Sequence, residues 1–232
     1  MSCILNIETS TAVCSAALSL DGKVIYNRFS FEGQSHASLI GVYIEGAISE
    51  AKKREIHIDA VAVSSGPGSY TGLRIGVSIA KGLCFGSGIP LIAVPTLEIM
   101  ATTVLSQNKV EDCSMYCAML DARRKEVYAS IFDPSLHPVL PTSDEIVDGD
   151  TFASYLSQGK VCFFGNGAAK CKAIIDSSNA IFLDDIHPLA ENMVQLSEKT
   201  FAAGKFENVA YFEPFYLKEF HATIAKNKVL GK

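Results

Sequence analysis

The chain has 232 residues, 48% hydrophobic and 19% charged, with a formal net charge of −5. That length suffices for one large domain or two small ones around a sizeable core, and the apolar content excludes a disordered chain. The mild acidity argues against a free-standing nucleic-acid binder, which needs a basic face.

The N-terminus, MSCILNIETS, has no basic segment ahead of its apolar residues and does not read as a signal peptide. Residues 3–7, 13–20 and 24–31 read as short strands, the last two joined by Asp21-Gly22, a strong hairpin signal. A helix over 35–53 follows, with Ala37, Ile40, Ile44, Ala47, Ile48 and Ala51 along one face. Strand 59–64 runs into the glycine-rich loop GPGSYTG at 66–72, then come a helix over 71–86, strand 91–94 and a helix over 96–105. After the polar stretch 106–114, strands are predicted at 115–120, 126–132, 161–164 and 181–183. Helices are predicted at 152–156, 166–175 and 188–203, with an irregular tail from Tyr211 that ends in the basic segment Lys226, Lys228, Lys232. Seven scattered cysteines, mostly among apolar neighbours as at Cys14, Cys84, Cys117 and Cys162, suit buried thiols in the cytoplasm rather than a disulfide framework. No apolar run reaches the length of a membrane span.

Both halves open alike: an apolar strand ending in an acid, a polar turn, and a second strand. LNIE ends at Glu8 and AMLD at Asp121, so two related α/β halves would face one another with these acids near the cleft.

The loop GPGSYTGLRIG leaves a strand and opens a helix, where free N–H groups can meet an anion. Leu73 stands where a Walker loop needs lysine, and Gly66, Gly68 and Gly72 miss the dinucleotide spacing by one residue. Kinase glycine loops join two strands, so this pattern fails as well. The helix behind the loop is apolar on nearly every side, through Leu73, Ile75, Val77, Ile79, Ala80, Leu83 and Phe85. Gly72, Gly76, Gly82 and Gly86 give it small-residue spacing, and the preceding helix has a second stripe at Leu39, Val42, Tyr43 and Gly46. Such a helix is buried on both sides, either within its own core or against a partner.

Four segments in order, ILNIETST (4–11), SSGPGSYTGLRIGVSIAKGL (64–83), PLIAVPTLEIMA (90–101) and LDARRKEVYASIF (120–132), closely resemble the TsaB (YeaZ) family; EPFYLKE (213–219) also fits. The resemblance implies an α/β fold of two ribonuclease-H-like lobes of the actin-like, sugar-kinase and Hsp70 superfamily, with mixed sheets flanked by helices. The lobes would span 1–106 and 107–232. It also implies a non-catalytic partner of a TsaD-type subunit, which transfers threonylcarbamoyl to the adenosine beside the anticodon in tRNA. A TsaE-type ATPase would join the complex, tRNA would be met indirectly, and a homodimer would form when the chain is alone.

Pairing through the N-terminal lobe implies an interface of Leu39, Val42, Tyr43, Gly46, Gly72, Leu73, Gly76, Ile79 and Ala80. Ser69, Thr71, Arg74, Arg123 and Arg124 are expected to meet nucleotide, phosphate or tRNA. No cofactor is expected on this chain, with ATP or ADP confined to the complex. TsaD-like proteins carry H-x-x-x-H on the first long helix to hold a metal, but here His36, beside Ser35, has Ile40 four residues later in place of the second histidine, so no metal is expected. Cys113 and Cys117 do not replace that pair. Sugar kinases of the superfamily carry a phosphate-binding glycine where this chain has Glu8-Thr9-Ser10-Thr11, and the turn after Asp121 is Ala122-Arg123-Arg124. The competing readings are a glycoprotease-like hydrolase using Ser69 or Thr71, with His36 brought close by the fold, and a small-molecule kinase.

Overall fold

Two antiparallel meanders seed the two sheets of the protein, whose computed structural model describes residues 2–33, 36–107 and 112–218. Ser35, the His36 side chain and the basic end of the tail lie outside the described residues. In the first meander β1 (Cys3–Glu8) pairs with β2 (Cys14–Leu20), and β2 with β3 (Lys23–Ser30). Asp21 and Gly22, at φ 47° and 74°, supply the left-handed turn that the hairpin needs. The chain continues through α1 (His36–Lys53), β4 (Ala60–Gly66), α2 (Tyr70–Ser87), β5 (Leu91–Pro95) and α3 (Thr96–Ser106). β4 lies parallel to β1 and β5 parallel to β4, giving the order β3-β2-β1-β4-β5.

The second half repeats this plan. β6 (Met115–Asp121), β7 (Glu126–Phe132) and β8 (Pro138–Ile146) form the meander, and β9 (Val161–Phe164) and β10 (Ala180–Leu183) add in parallel beyond β6. The order β10-β9-β6-β7-β8, read from the other edge, is that of the first sheet. The matching openings at Glu8 and Asp121 are therefore the visible trace of a duplicated five-stranded unit. β8 is absent from the sequence reading because Pro138 and Pro141 argue against a strand. It is an edge strand, where a missing N–H costs no inner ladder bond.

Helices differ more. The expected helix over 166–175 is regular only at α5 (Ala168–Cys171), and α4 (Ala153–Leu156) is equally short. The helix expected over 188–203 begins as a 3₁₀ turn, Ala190–Met193, and becomes α6 (Val194–Ala202). Ser15 Oγ accepts the Ala190 N–H at 2.8 Å, which sets this turn against β2.

β1 is buried along its whole length because its sheet is covered on both faces. One face, with Leu5, Ile7, Ala16 and Leu18, packs on Ile40, Ile44 and Ala47 of α1 and Val77 and Ala80 of α2. The other, with Ile4, Ala17, Ala62 and Ile92, packs on Ile99 of α3 and on Ala190, Met193 and Leu196. A boundary at residue 106 thus separates the sheets but not the helices, since α6 covers the first sheet. α3 is shared: Leu97, Met100, Ala101 and Val104 pack on Tyr116, Ala118, Leu120 and Phe164 of the second sheet. All seven cysteines are free and buried.

The tail is irregular as expected, yet it is tied down as far as it is described. Glu207 N–H bonds to Leu91 O at 2.9 Å, Lys81 Nζ donates to the carbonyls of Ala210 and Phe212, and Phe215 N–H bonds to Ser65 O at 2.7 Å. Lys218 then reaches the second lobe, pairing with Glu126 and lying 3.7 Å from Asp144. This strap runs along α2 from β5 to the edge of the second sheet.

Candidate functional site

The glycine loop after β4 cradles its own chain. Ser69 N–H donates to Ser10 O at 2.6 Å, and Thr9 Oγ1 donates to Gly72 O at 2.8 Å. A Cβ at Gly68 would lie 2.3 Å from Ser10 O; at Gly72, 2.1 Å from Thr9 O; at Gly76, 2.2 Å from Thr9 Oγ1. Only hydrogen fits at these three positions, so Thr9 and Ser10 pack directly against the turn and the start of the helix. Ser69 caps α2 by accepting the Gly72 N–H at 3.2 Å.

The second lobe carries the same device, which the sequence reading missed. Gly165 and Gly167 lie just past β9 much as Gly66 and Gly68 lie at the end of β4 and just past it, and Gly165 and Gly66 share positive φ, 98° and 106°. A Cβ at Gly165 would lie 2.3 Å from Met119 O, and one at Gly167 would lie 2.8 Å from Leu120 C. The available signal was a G-x-G directly after the corresponding strand of each half.

The two acids are not brought together. Glu8 is fully buried, accepts the Ser10 N–H at 2.5 Å through Oε1, and leaves Oε2 without a partner. Burial pushes its carboxyl up to about 7, against the opposing hydrogen bonds of Ser10 and Ser64. Asp121 is exposed and accepts from Lys170 Nζ at 2.5 Å and from Arg123 N–H at 2.9 Å. Its partial burial raises the pKa, but these donors outweigh that and leave it lowered. The cleft between the lobes is lined by Thr11, Val13, Phe31, Leu120, Asn166 and His187, among others, and by neither acid. Neither acid lines the cleft itself, although Asp121 adjoins its Leu120 and donates its N–H to Asn166 Oδ1 at 2.9 Å.

The expected contact residues divide into two groups. Ser69, Thr71 and Arg74 sit at the start of α2, and Arg123 and Arg124 occupy the β6–β7 turn at φ 70° and 51°. No direct contact joins the groups among the described residues, although the strap touches both regions. Tyr216 packs on Tyr70 with ring centroids 5.1 Å apart, and Lys218 pairs with Glu126. Among the described residues no three His, Cys, Asp or Glu side chains come together as a metal site, and no helix is long and apolar enough to cross a membrane.

The expected interface is corrected in its glycines. Gly72, Leu73, Gly76 and Ala80 are buried within the lobe, and a Cβ at Gly46 would strike the Tyr26 hydroxyl. Their spacing serves internal packing. Val42 is 60% exposed, Leu39, Tyr43 and Ile79 are half-buried, and Phe85, which the sequence reading did not place at the interface, is 85% exposed. A surface groove lies between the start of α1 and α2, lined by Ala37, Tyr70, Thr71, Arg74, Ile75, Ser78 and Ile79.

Two five-stranded mixed sheets of one topology, flanked by helices, make this a two-lobed α/β protein built on an internal duplication. Residues 31–226 match the family described as TsaD, tRNA N6-adenosine threonylcarbamoyltransferase. The chain is 30% identical to the tRNA threonylcarbamoyladenosine biosynthesis protein TsaB of Escherichia coli over 99% of each chain. It is also 30% identical to the protein of that name from Bacillus subtilis, over 56% of this chain and 54% of that one. A solved structure titled YeaZ from Pseudomonas aeruginosa shares the fold, with a TM-score of 0.76 and 24% identity over 94% of this chain and all of that one. A second Pseudomonas aeruginosa structure, described as similar to peptidase YEAZ, gives a TM-score of 0.81 at 23% identity, with 94% and 100% covered. The chain belongs to the TsaB (YeaZ) family.

The interlock yields a contrast within one helix. Gly72→Ala is expected to destabilise by about 2 kcal/mol or more, because its Cβ meets backbone. Gly82→Ala and Gly86→Ala, with nothing within 4 Å, are expected to stabilise by about 0.5–1 kcal/mol. Urea unfolding of the three variants checks this, and equal effects would refute the interlock.

Glu8 sets a pH dependence. Its carboxyl stands at about 7 in the folded chain against an ordinary 4.5, so folded protein holds a proton that the unfolded chain has released. The associated stability is present below about pH 4.5 and is lost as pH rises through about 7. Glu8→Gln, which stays neutral, is expected to remove that loss, worth about 3 kcal/mol at full span. Unfolding midpoints of the two proteins that run parallel from about pH 5 to 8 would contradict the assignment.

Proposed function

We propose that this chain is the non-catalytic partner subunit in the biosynthesis of threonylcarbamoyladenosine in tRNA. It docks on a TsaD-type catalytic subunit through the outer face of α1 and α2. The observation that carries the reading is that face: two eighteen-residue helices keep Val42 and Phe85 in solvent while the opposite face of each is sealed in the core. Large apolar side chains left in solvent beside the apolar-walled groove between α1 and α2 mark a candidate interaction site. The names of the relatives supply the pathway, since both are threonylcarbamoyladenosine biosynthesis proteins.

The filled glycine loop supports a non-catalytic role. Phosphoryl transfer needs backbone N–H groups turned toward phosphate, whereas here Ser69 N–H is engaged by Ser10 O and Gly72 N–H by its own cap. ATP or ADP in the complex is then held by other subunits, a TsaE-type ATPase among them. tRNA is met through the assembly, in the cytoplasm. The exposed Arg123 and Arg124 remain the residues of this chain best suited to a phosphate in that assembly.

The test is association with a TsaD-type subunit and tRNA modification with and without this chain. Val42→Lys is expected to weaken association at least about tenfold, equivalent to about 1.4 kcal/mol, with an unchanged unfolding midpoint. Gly76→Lys is no substitute probe, since its Cβ would strike Thr9 Oγ1 and disturb the fold. Full association by Val42→Lys, or modification that proceeds equally without the chain, would overturn the reading.

A further inference from the structure

Arg74 lies in the groove between α1 and α2, exposed and with no carboxylate partner among the described residues. Its guanidinium is nonetheless held. It lies 5.3 Å from the Tyr70 ring centroid, and its NH1 donates to the Tyr70 hydroxyl at 2.8 Å. Tyr70 packs in turn on Tyr216 of the strap. The strap is fixed beside it by the Phe215–Ser65 hydrogen bond, and Gly66 permits that approach, since a Cβ there would lie 2.7 Å from Phe215 O. Beyond it, Lys218 is anchored on Glu126. A guanidinium stacked and hydrogen-bonded in advance loses little freedom when it binds.

We infer that Arg74 is the polar anchor of the docking face, receiving a carboxylate from a helix of the partner subunit laid in the groove; this rests on the docking proposed above. The walls beside Arg74 are Ala37, Ile75 and Ile79, with the small hydroxyls of Thr71 and Ser78. A pair of helices with such a furrow accepts the apolar ridge of a third helix. That ridge would cover Arg74 and remove it from water. A covered cation needs a charged acceptor, and among the described residues this chain offers Arg74 only the neutral Tyr70 hydroxyl, so the carboxylate comes from the partner. A carboxylate matches the guanidinium fork with two parallel hydrogen bonds. RNA is the poorer fit, because among the described residues the groove holds no second cation and its walls are largely apolar, whereas a phosphate backbone is read by several cations together.

The experiment measures affinity of the full chain for a TsaD-type subunit, using wild type, Arg74→Ala, Arg74→Lys, Arg74→Glu and Tyr216→Ala. Arg74→Ala and Arg74→Glu are expected to lose at least tenfold with unfolding midpoints unchanged. Lysine is expected to restore part of the loss, and Tyr216→Ala to lose less than Arg74→Ala. An Asp or Glu→Arg change in the partner that recovers binding to Arg74→Glu would identify the carboxylate. If Arg74→Glu binds within twofold of wild type while Val42→Lys fails to bind, the anchor is wrong and the docking face stands. If both bind normally, anchor and docking face fall together. If Arg74→Glu lowers only the affinity of the complex for tRNA, the ligand is phosphate and the inference is overturned. It is equally overturned if that variant alters only self-association of the isolated chain, because the occupant is then a second copy.

Discussion

Thr9 is the residue on which the arrangement of the first lobe turns. Its carbonyl sits where a Cβ of Gly72 would be, its hydroxyl bonds to Gly72 O, and that hydroxyl also occupies the space beside Gly76. α2 is therefore pressed directly against the turn that follows β1, at a separation only glycine allows. This contact determines which face of α2 points inward, and hence which residues are left for solvent. Beneath it, Glu8 is buried with one oxygen unsatisfied. An unpaired polar atom in the interior is costly, and it is tolerated where the hairpin, β4 and the glycine loop all converge.

The duplication separates the glycine interlock, which both lobes keep, from the long helices, which only the first lobe has. The second lobe has the same sheet and the same G-x-G packed on the end of its first strand. Yet the helices that correspond to α1 and α2 are α4 and α5, four residues each. A single turn presents no apolar ridge, so the second lobe has a joint without a docking face. Two units with one topology have diverged chiefly in helix length. That divergence leaves the first lobe alone with the long helices that the proposed docking requires.

Much of this was legible in the sequence, and the failures have physical causes. The Asp21-Gly22 hairpin, the strand into GPG and both long helices were readable because turn chemistry and 3.6-residue periodicity agree there. β8 was hidden by two prolines tolerated at an edge, and the 3₁₀ start at Ala190 by the side chain of Ser15, 175 residues away in sequence. The glycines of α2 were misassigned for a different reason. Small-residue spacing states that a backbone approaches closely, but not whose backbone it is. At Gly72 it is the backbone of Thr9 and at Gly76 the Thr9 side chain; at Gly82 and Gly86 nothing among the described residues lies within 4 Å of an added Cβ.

The apolar surplus of α2 is thus partitioned by its own glycines. Gly72, Leu73, Gly76, Val77, Ala80 and Cys84 form the sealed face. Thr71, Arg74, Ile75, Ser78 and Ile79 belong to the other, which also carries Phe85. A helix apolar all round would ordinarily be enclosed by its own protein. Here one side is enclosed so tightly that its orientation is fixed, and the second is presented in that fixed orientation to whatever packs against it. Rigid presentation lowers the ordering cost of association. The strap extends the same logic, because it ties Tyr70 at the head of the groove to Glu126 in the other lobe through Tyr216 and Lys218. The proposed docking face is accordingly supported from both lobes, although only one of them supplies its helices.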